Sequence, residues 1–253
     1  MEEELKNIYK KLYKNVNDLN KERRKQDRVD FLTICPAIKG ELYDTQNKKF
    51  MFVGRAINGW CELPDNESDF QKMLDTCTNK CGLGWVIGQW DWYKCDGCKY
   101  AETKAKEKEG VYSNRTNSPF WQLVKYICEQ EGIGDCWYKK ILWSNLYKAS
   151  YLNGGNPYDY YEQQILYCNE ILNKEIEIYK PTKIFFITEN FSMLKNCKCT
   201  WFCKEYVKKS ILNFRSVYNT IKEKGVETYI LSRPEFKSKE KVYQNRKNIN
   251  SIK

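Results

Sequence analysis

The chain has no histidine among its 253 residues, so the side chain best suited to carrying protons near neutral pH is missing and other groups must do that work. It has no apolar run close to the roughly 20 residues that a bilayer crossing needs. Its first residues, Met1-Glu2-Glu3-Glu4, are acidic where a secretory leader would be basic and then apolar. The expectation is a cytoplasmic chain with no membrane partner. No internal repeat is visible, and the length suits one large domain over residues 1–253. The 12 cysteines, with no leader to take them to an oxidising compartment, read as reduced thiols or metal ligands and not as disulfides.

What is abundant is positive charge and aromatic surface. The net charge is +10, and the stretch Lys204–Lys253 holds 13 Lys and Arg against 5 Asp and Glu. Beside 8 Trp, 19 Tyr and 11 Phe, this is the footprint of a polyanion partner whose phosphates are held by charge and whose bases stack on rings. An AT-rich genome, which inflates Lys, Asn, Ile and Tyr, is the competing source of the same composition.

Hydrophobic periodicity organises the chain. Leu5, Ile8, Tyr9, Leu12, Tyr13 and Val16 recur at helical spacing and predict an amphipathic helix over 3–25. Phe50–Val53 reads as a buried strand that breaks into a loop carrying Gly54, Arg55, Asn58, Gly59 and Trp60. Residues 62–112 read as an irregular excursion rich in Cys, Trp and Lys over the sheet's ligand edge. Ser118 is placed to cap a helix whose first residue is Pro119. Ile141–Trp143 reads as a strand ending at Ser144-Asn145, Pro157 as the opening of a long helix that stops at Lys180-Pro181, and Lys183–Thr188 as the clearest buried strand. A helix around 211–224 stopped by Gly225, a strand over 226–231, the pair Arg233-Pro234 and a final basic helix complete the pattern. Strands alternating with helices predict an α/β fold, three layers α/β/α around a mainly parallel sheet.

Four of these pieces, in this order, resemble the uracil-DNA glycosylase superfamily. They are the Val53-Gly54 loop after the first buried strand, the strand ending near Asn145, the helix-to-strand passage Tyr179-Lys180-Pro181-Thr182-Lys183-Ile184-Phe185-Phe186-Ile187, and the late strand ending at Arg233-Pro234. The resemblance implies a domain that extrudes a nucleotide from DNA and cuts the bond between base and sugar, a reaction that needs no cofactor. As that bond breaks, the sugar becomes oxocarbenium-like and charge flows into the leaving base. A carboxylate or amide must then hold water near the sugar carbon, while donors stabilise the base.

The family places Asp or Asn two residues after the loop glycine, where this chain has Ala56, and a histidine before the late proline, where it has Arg233. The water-holding role therefore passes to Asn58 in a shifted loop, or to Glu62, Asp65 or Asp91 from the excursion. Arg233 would stabilise the leaving base but cannot shuttle protons. Asn145 matches the asparagine that reads the base edge, with Gly54, Arg55 and Ser118 around the cleft and Trp60, Trp85 or Trp121 as stacking platforms. Lys239, Lys241 and Lys247 would hold the phosphates. Cys77, Cys81, Cys95 and Cys98 carry spacing suited to a structural zinc, against the alternative of thiols packed among Trp85, Trp90 and Trp92.

The leading expectation is a divergent glycosylase acting on a modified or damaged DNA base, since Ala56 and a long mouth enlarge the pocket. A binding protein that keeps the fold without the chemistry, and a zinc-stapled interaction domain, are the competing classes. Replacing Lys239, Lys241 and Lys247 together by Gln should weaken binding to all DNA sequences alike. In filter binding across a salt series, the logarithmic slope should fall by about 1 per lost phosphate contact. An unchanged slope would make the basic tail a solvated surface.

Overall fold

The computed structural model describes residues 1–57, 60–79, 82–87, 118–154, 159–188, 216–232, 234 and 238–248. The expected amphipathic helix forms as α1 (Glu3–Lys25), burying Leu5, Ile8, Tyr9, Leu12, Tyr13 and Val16. Arg23 in its last turn, where a cation suits the helix dipole, is buried and bridges Asp30 at 2.8 Å and Asp159 at 2.7 Å. Two short strands follow, β1 (Leu32–Ile34) and β2 (Ile38–Lys39), then β3 (Phe50–Ala56).

The excursion is less irregular than expected, because it opens with α2 (Glu67–Asn79). Asn66 caps this helix, its Oδ1 accepting from the Asp69 backbone N–H at 2.9 Å. Phe70, Met73, Leu74 and Cys77, at helical spacing, pack against α1, with Phe70 stacked on Tyr13 at 4.3 Å. One 3-10 turn covers Gly84–Ile87.

Next come α3 (Pro119–Gln130), α4 (Trp137–Lys140), β4 (Ile141–Tyr147), β5 (Ala149–Tyr151) and α5 (Tyr161–Tyr179). They lead to β6 (Lys183–Ile187), the helical stretch α6 over residues 216–223, β7 (Glu227–Leu231), α7 (Lys239–Gln244) and β8 (Lys247–Asn248). Gly225, at φ +63°, lets the chain leave α6. The opening Pro157 lies outside the described residues.

The main sheet has the order β2-β4-β3-β6-β7-β8. Its four inner strands are parallel and its two-residue edges antiparallel, while β1 and β5 form a separate antiparallel ladder. Strand alternation divides the core. Phe50, Phe52, Ile141, Trp143, Phe185 and Leu231 face α3 and α7, and Met51, Val53, Leu142, Ile184, Phe186 and Ile230 face α5 and α6. The expected α/β fold is therefore present, with helices on both faces of a mainly parallel sheet. Among the described residues no helix is long and apolar enough to cross a membrane.

One ionic cluster ties three of these elements together. Lys148, just beyond β4, and Glu175 of α5 are fully buried, with the ammonium 2.9 and 2.8 Å from the two carboxylate oxygens. Ser144 of β4 donates to the same carboxylate at 2.7 Å and Tyr9 of α1 at 2.9 Å. Burial, and then the neighbouring Glu175, push the Tyr9 phenol well above its ordinary range, so it stays a donor. Glu175→Leu or Lys148→Met alone should destabilise the fold by about 3–5 kcal/mol in urea titration, because either strands a buried charge. The double variant should recover most of that loss. Additive losses would show that the pair acts through packing alone.

Candidate functional site

In an open α/β sheet, ligands collect beyond the carboxyl ends of the strands, where neighbouring strands send their connections to opposite faces. That point here lies between β3 and β6. The chain from β3 returns through α3 on one face, and the chain from β6 returns through α6 on the other. Gly54 of β3 stands beside Asn145 of β4 and Ile187 of β6, which puts Gly54, Arg55, Asn145 and Thr188 together at this edge.

Both β3 and β4 run further than their sequences suggest. Gly54 and Arg55 are strand residues, not loop residues, and Asn145 lies two residues inside β4 rather than at its end. The side chain of Asn145 explains the glycine. A Cβ at position 54 would lie 2.7 Å from Asn145 Oδ1 and 3.5 Å from the Phe120 ring, so Gly54 serves a close approach and not a turn. Asn145 is buried, yet its Nδ2 has no hydrogen-bond partner among the described residues, a state that folded proteins rarely leave without a reason.

Rings cluster on the α3 face of the sheet, the face that Asn145 shares. Phe120 sits edge-on to Trp121 at 5.0 Å, Trp121 is 5.4 Å from Trp143, and half-buried Trp60 is 6.1 Å from Trp143. Trp121 belongs to the buried core, which leaves Trp60 as the platform nearest solvent. Phe120, not among the expected site residues, reaches this edge because α3 starts there. Its position directly after Ser118-Pro119 was the available signal.

On the opposite face of the same edge, Arg55 extends toward α5, its guanidinium carbon 6.0 Å from the Tyr161 ring centre. Tyr161 stacks on Tyr147 at 4.3 Å. Among the described residues, neither the buried Arg55 Nε nor the enclosed Thr188 Oγ1 has a hydrogen-bond partner.

The other expected residues separate from this cluster. Glu62 and Asp65 are exposed and lie beside Arg24 of α1, at 4.0 and 3.2 Å. A carboxylate held in that ion pair is turned to the α1 surface. Ser118 occupies the N-cap position of α3, but its side chain makes no capping hydrogen bond. Lys239 and Lys241 are exposed at the start of α7, the segment that follows the carboxyl end of β7. Lys247 falls in β8, and Trp85 in the 3-10 turn, with their side chains outside the described residues. Asn58, Asp91 and Arg233 also lie outside them.

Cys77 is buried in the core between α1 and α2. Cys81, Cys95 and Cys98, the rest of the expected zinc set, lie outside the described residues. No cluster of three or more potential ligands occurs among the described ones. Burial pushes the Cys168 thiol up to about 12 and raises that of Cys128, so these two are protonated packing residues and not nucleophiles.

No protein-family model matches the chain, and no curated protein matches it. The chemistry of the site is therefore argued from its geometry. An amide with a free donor, a half-buried indole and a phenyl ring can read the edge and the face of a planar polar heterocycle.

Asn145→Leu should keep or raise stability by about 1 kcal/mol, since it removes an unpaired buried amide, while weakening the binding of any planar heterocycle read by that amide. A thermal or urea measurement showing a loss above about 1 kcal/mol would instead make the amide a structural group. Gly54→Ala should cost about 1–3 kcal/mol by pressing on Asn145 and Phe120.

Proposed function

We propose that the chain takes a nucleobase extruded from DNA into the cleft between β3, β4 and β6 and excises it, as a divergent glycosylase-like protein. The observation that carries this reading is the buried carboxamide of Asn145, whose Nδ2 donor has no partner among the described residues and which shares its face of the sheet with Phe120 and Trp60. A base entering the cleft would satisfy the amide through its pairing edge and stack on a ring, which converts a standing energetic deficit into binding energy. The exposed lysines of α7 and the excess positive charge of the C-terminal stretch suit a phosphate backbone held nearby. The small methyl of Ala56, where the resemblance calls for Asp or Asn, suits a substituted base.

A second reading is favoured by one specific observation: both described carboxylates expected to hold water, Glu62 and Asp65, are engaged by Arg24, and Ala56 occupies the step where the resemblance calls for Asp or Asn. In that reading the cleft recognises the base without cutting it.

One assay separates the readings. The protein is incubated with DNA containing uracil, 5-hydroxymethylcytosine or glucosylated cytosine, and abasic sites are detected by alkaline strand cleavage. Excision predicts abasic product from at least one substrate and none from Asn145→Leu. Tight, Asn145-dependent binding without abasic product supports the recognition module. Absence of both product and binding overturns both readings.

A further inference from the structure

The face of the cleft edge opposite Asn145 has features that base recognition leaves unused. Among the described residues Arg55 is a cation with no carboxylate partner, its guanidinium lying over the ring of Tyr161. This sets it apart from Arg23, Arg24 and Arg28, each of which is ion-paired. Along the parallel register, Gly54 pairs with Ile187, so the next residues, Arg55 and Thr188, are neighbours across the two strands. Thr188 continues the alternation of Ile184 and Phe186 toward the α5 face, and its enclosed hydroxyl has no partner.

Tyr161 is the first residue of the 19-residue α5, whose N-cap residue Tyr160 supplies no side-chain cap. A helix start carries partial positive charge. A guanidinium and a hydroxyl without carboxylate or hydrogen-bond partners among the described residues, on the face of the switch point where a helix begins, share one chemical demand, an anion with several acceptor oxygens.

We propose that Arg55 and Thr188 form a phosphate-binding subsite at the carboxyl ends of β3 and β6, separate from the base-reading amide of Asn145 on the other face. The guanidinium and the hydroxyl donate to phosphate oxygens, and the start of α5 adds its dipole. The phosphate belongs either to a free nucleotide or to the DNA backbone flanking an extruded base, and the second source rests on the function proposed above.

The test uses isothermal titration calorimetry on the full chain with four probes: inorganic phosphate, thymidine, thymidine 5′-monophosphate and a short single-stranded oligothymidylate. Arg55→Gln and Thr188→Val should each weaken the phosphate-bearing probes about tenfold or more and leave thymidine unchanged. Thr188→Val is nearly isosteric at a hydroxyl that makes no hydrogen bond, so it tests the subsite without a folding defect. Preference for the oligonucleotide over the mononucleotide assigns the phosphate to the DNA backbone, and the reverse assigns it to a free nucleotide.

Phosphate-dependent binding that survives in Asn145→Leu, with thymidine bound by neither protein, supports the anion subsite while removing the base reading. The subsite is overturned by equal affinities in wild type and both variants, by parallel losses for thymidine and its monophosphate, or by no binding of any phosphate-bearing probe.

Discussion

The buried ion pair between Lys148 and Glu175 is the constraint on which the rest of the arrangement depends. Two charges taken out of water are tolerated only with close geometry and further hydrogen bonds, and here Ser144 and Tyr9 supply them. The four groups come from α1, β4, the turn beyond β4 and α5, so the cluster fixes two helices against one strand. Each of these polar atoms has few alternative partners in the surrounding apolar core, which makes the registry of β4 against α5 specific in a way that packing of Leu, Ile and Phe alone is not.

The same strand carries the site. Successive strand residues point to opposite faces, so Ser144 faces the ion pair while Asn145 faces Phe120 and the indoles. A slip of one residue in β4 would put the amide against Glu175 and the hydroxyl in the cleft. The ionic cluster thereby sets which residue of β4 enters the site, without touching it. There is also a contrast in satisfaction. The ion-pair cluster is fully bonded, whereas Asn145 Nδ2, Arg55 Nε and Thr188 Oγ1 are buried and unpaired along one sheet edge. Folded chains seldom leave such groups unpaired, and those that break the rule tend to do so where something else binds.

Much of the fold was legible because it follows local periodicity. The helical spacing in α1 and α5, the apolar runs in β6 and β7, and the Pro119 start of α3 are short-range signals. The helix α2 had a signal as well, in the Asn66 cap and the spacing of Phe70, Met73, Leu74 and Cys77, but it was masked by the surrounding Cys and Lys. The two-residue edges β2 and β8 carry no pattern long enough to read. Neither the pairing of Lys148 with Glu175, 27 residues apart, nor the contact of Asn145 with Gly54 leaves a trace in local sequence. Gly54 reads from the sequence as a loop residue, because its close approach depends on a side chain from another strand. Glu62 and Asp65 looked free because Arg24, far earlier in the chain, is brought to them only by the packing of α1.

The position of Arg55 sets a constraint on any chemistry at this edge. Cleavage of a glycosidic bond builds positive charge on the sugar, and a guanidinium without a carboxylate partner at this edge opposes that charge. A carboxylate near the sugar is the usual remedy, and the described residues place none there. A phosphate seated on Arg55 would neutralise the cation and so remove the field that opposes the developing charge. Recognition of the phosphate and tolerance of the cationic transition state are then linked through one residue: the substrate would bring the anion that the protein lacks, and a nucleoside stripped of its phosphate would meet a site electrostatically unsuited to its cleavage.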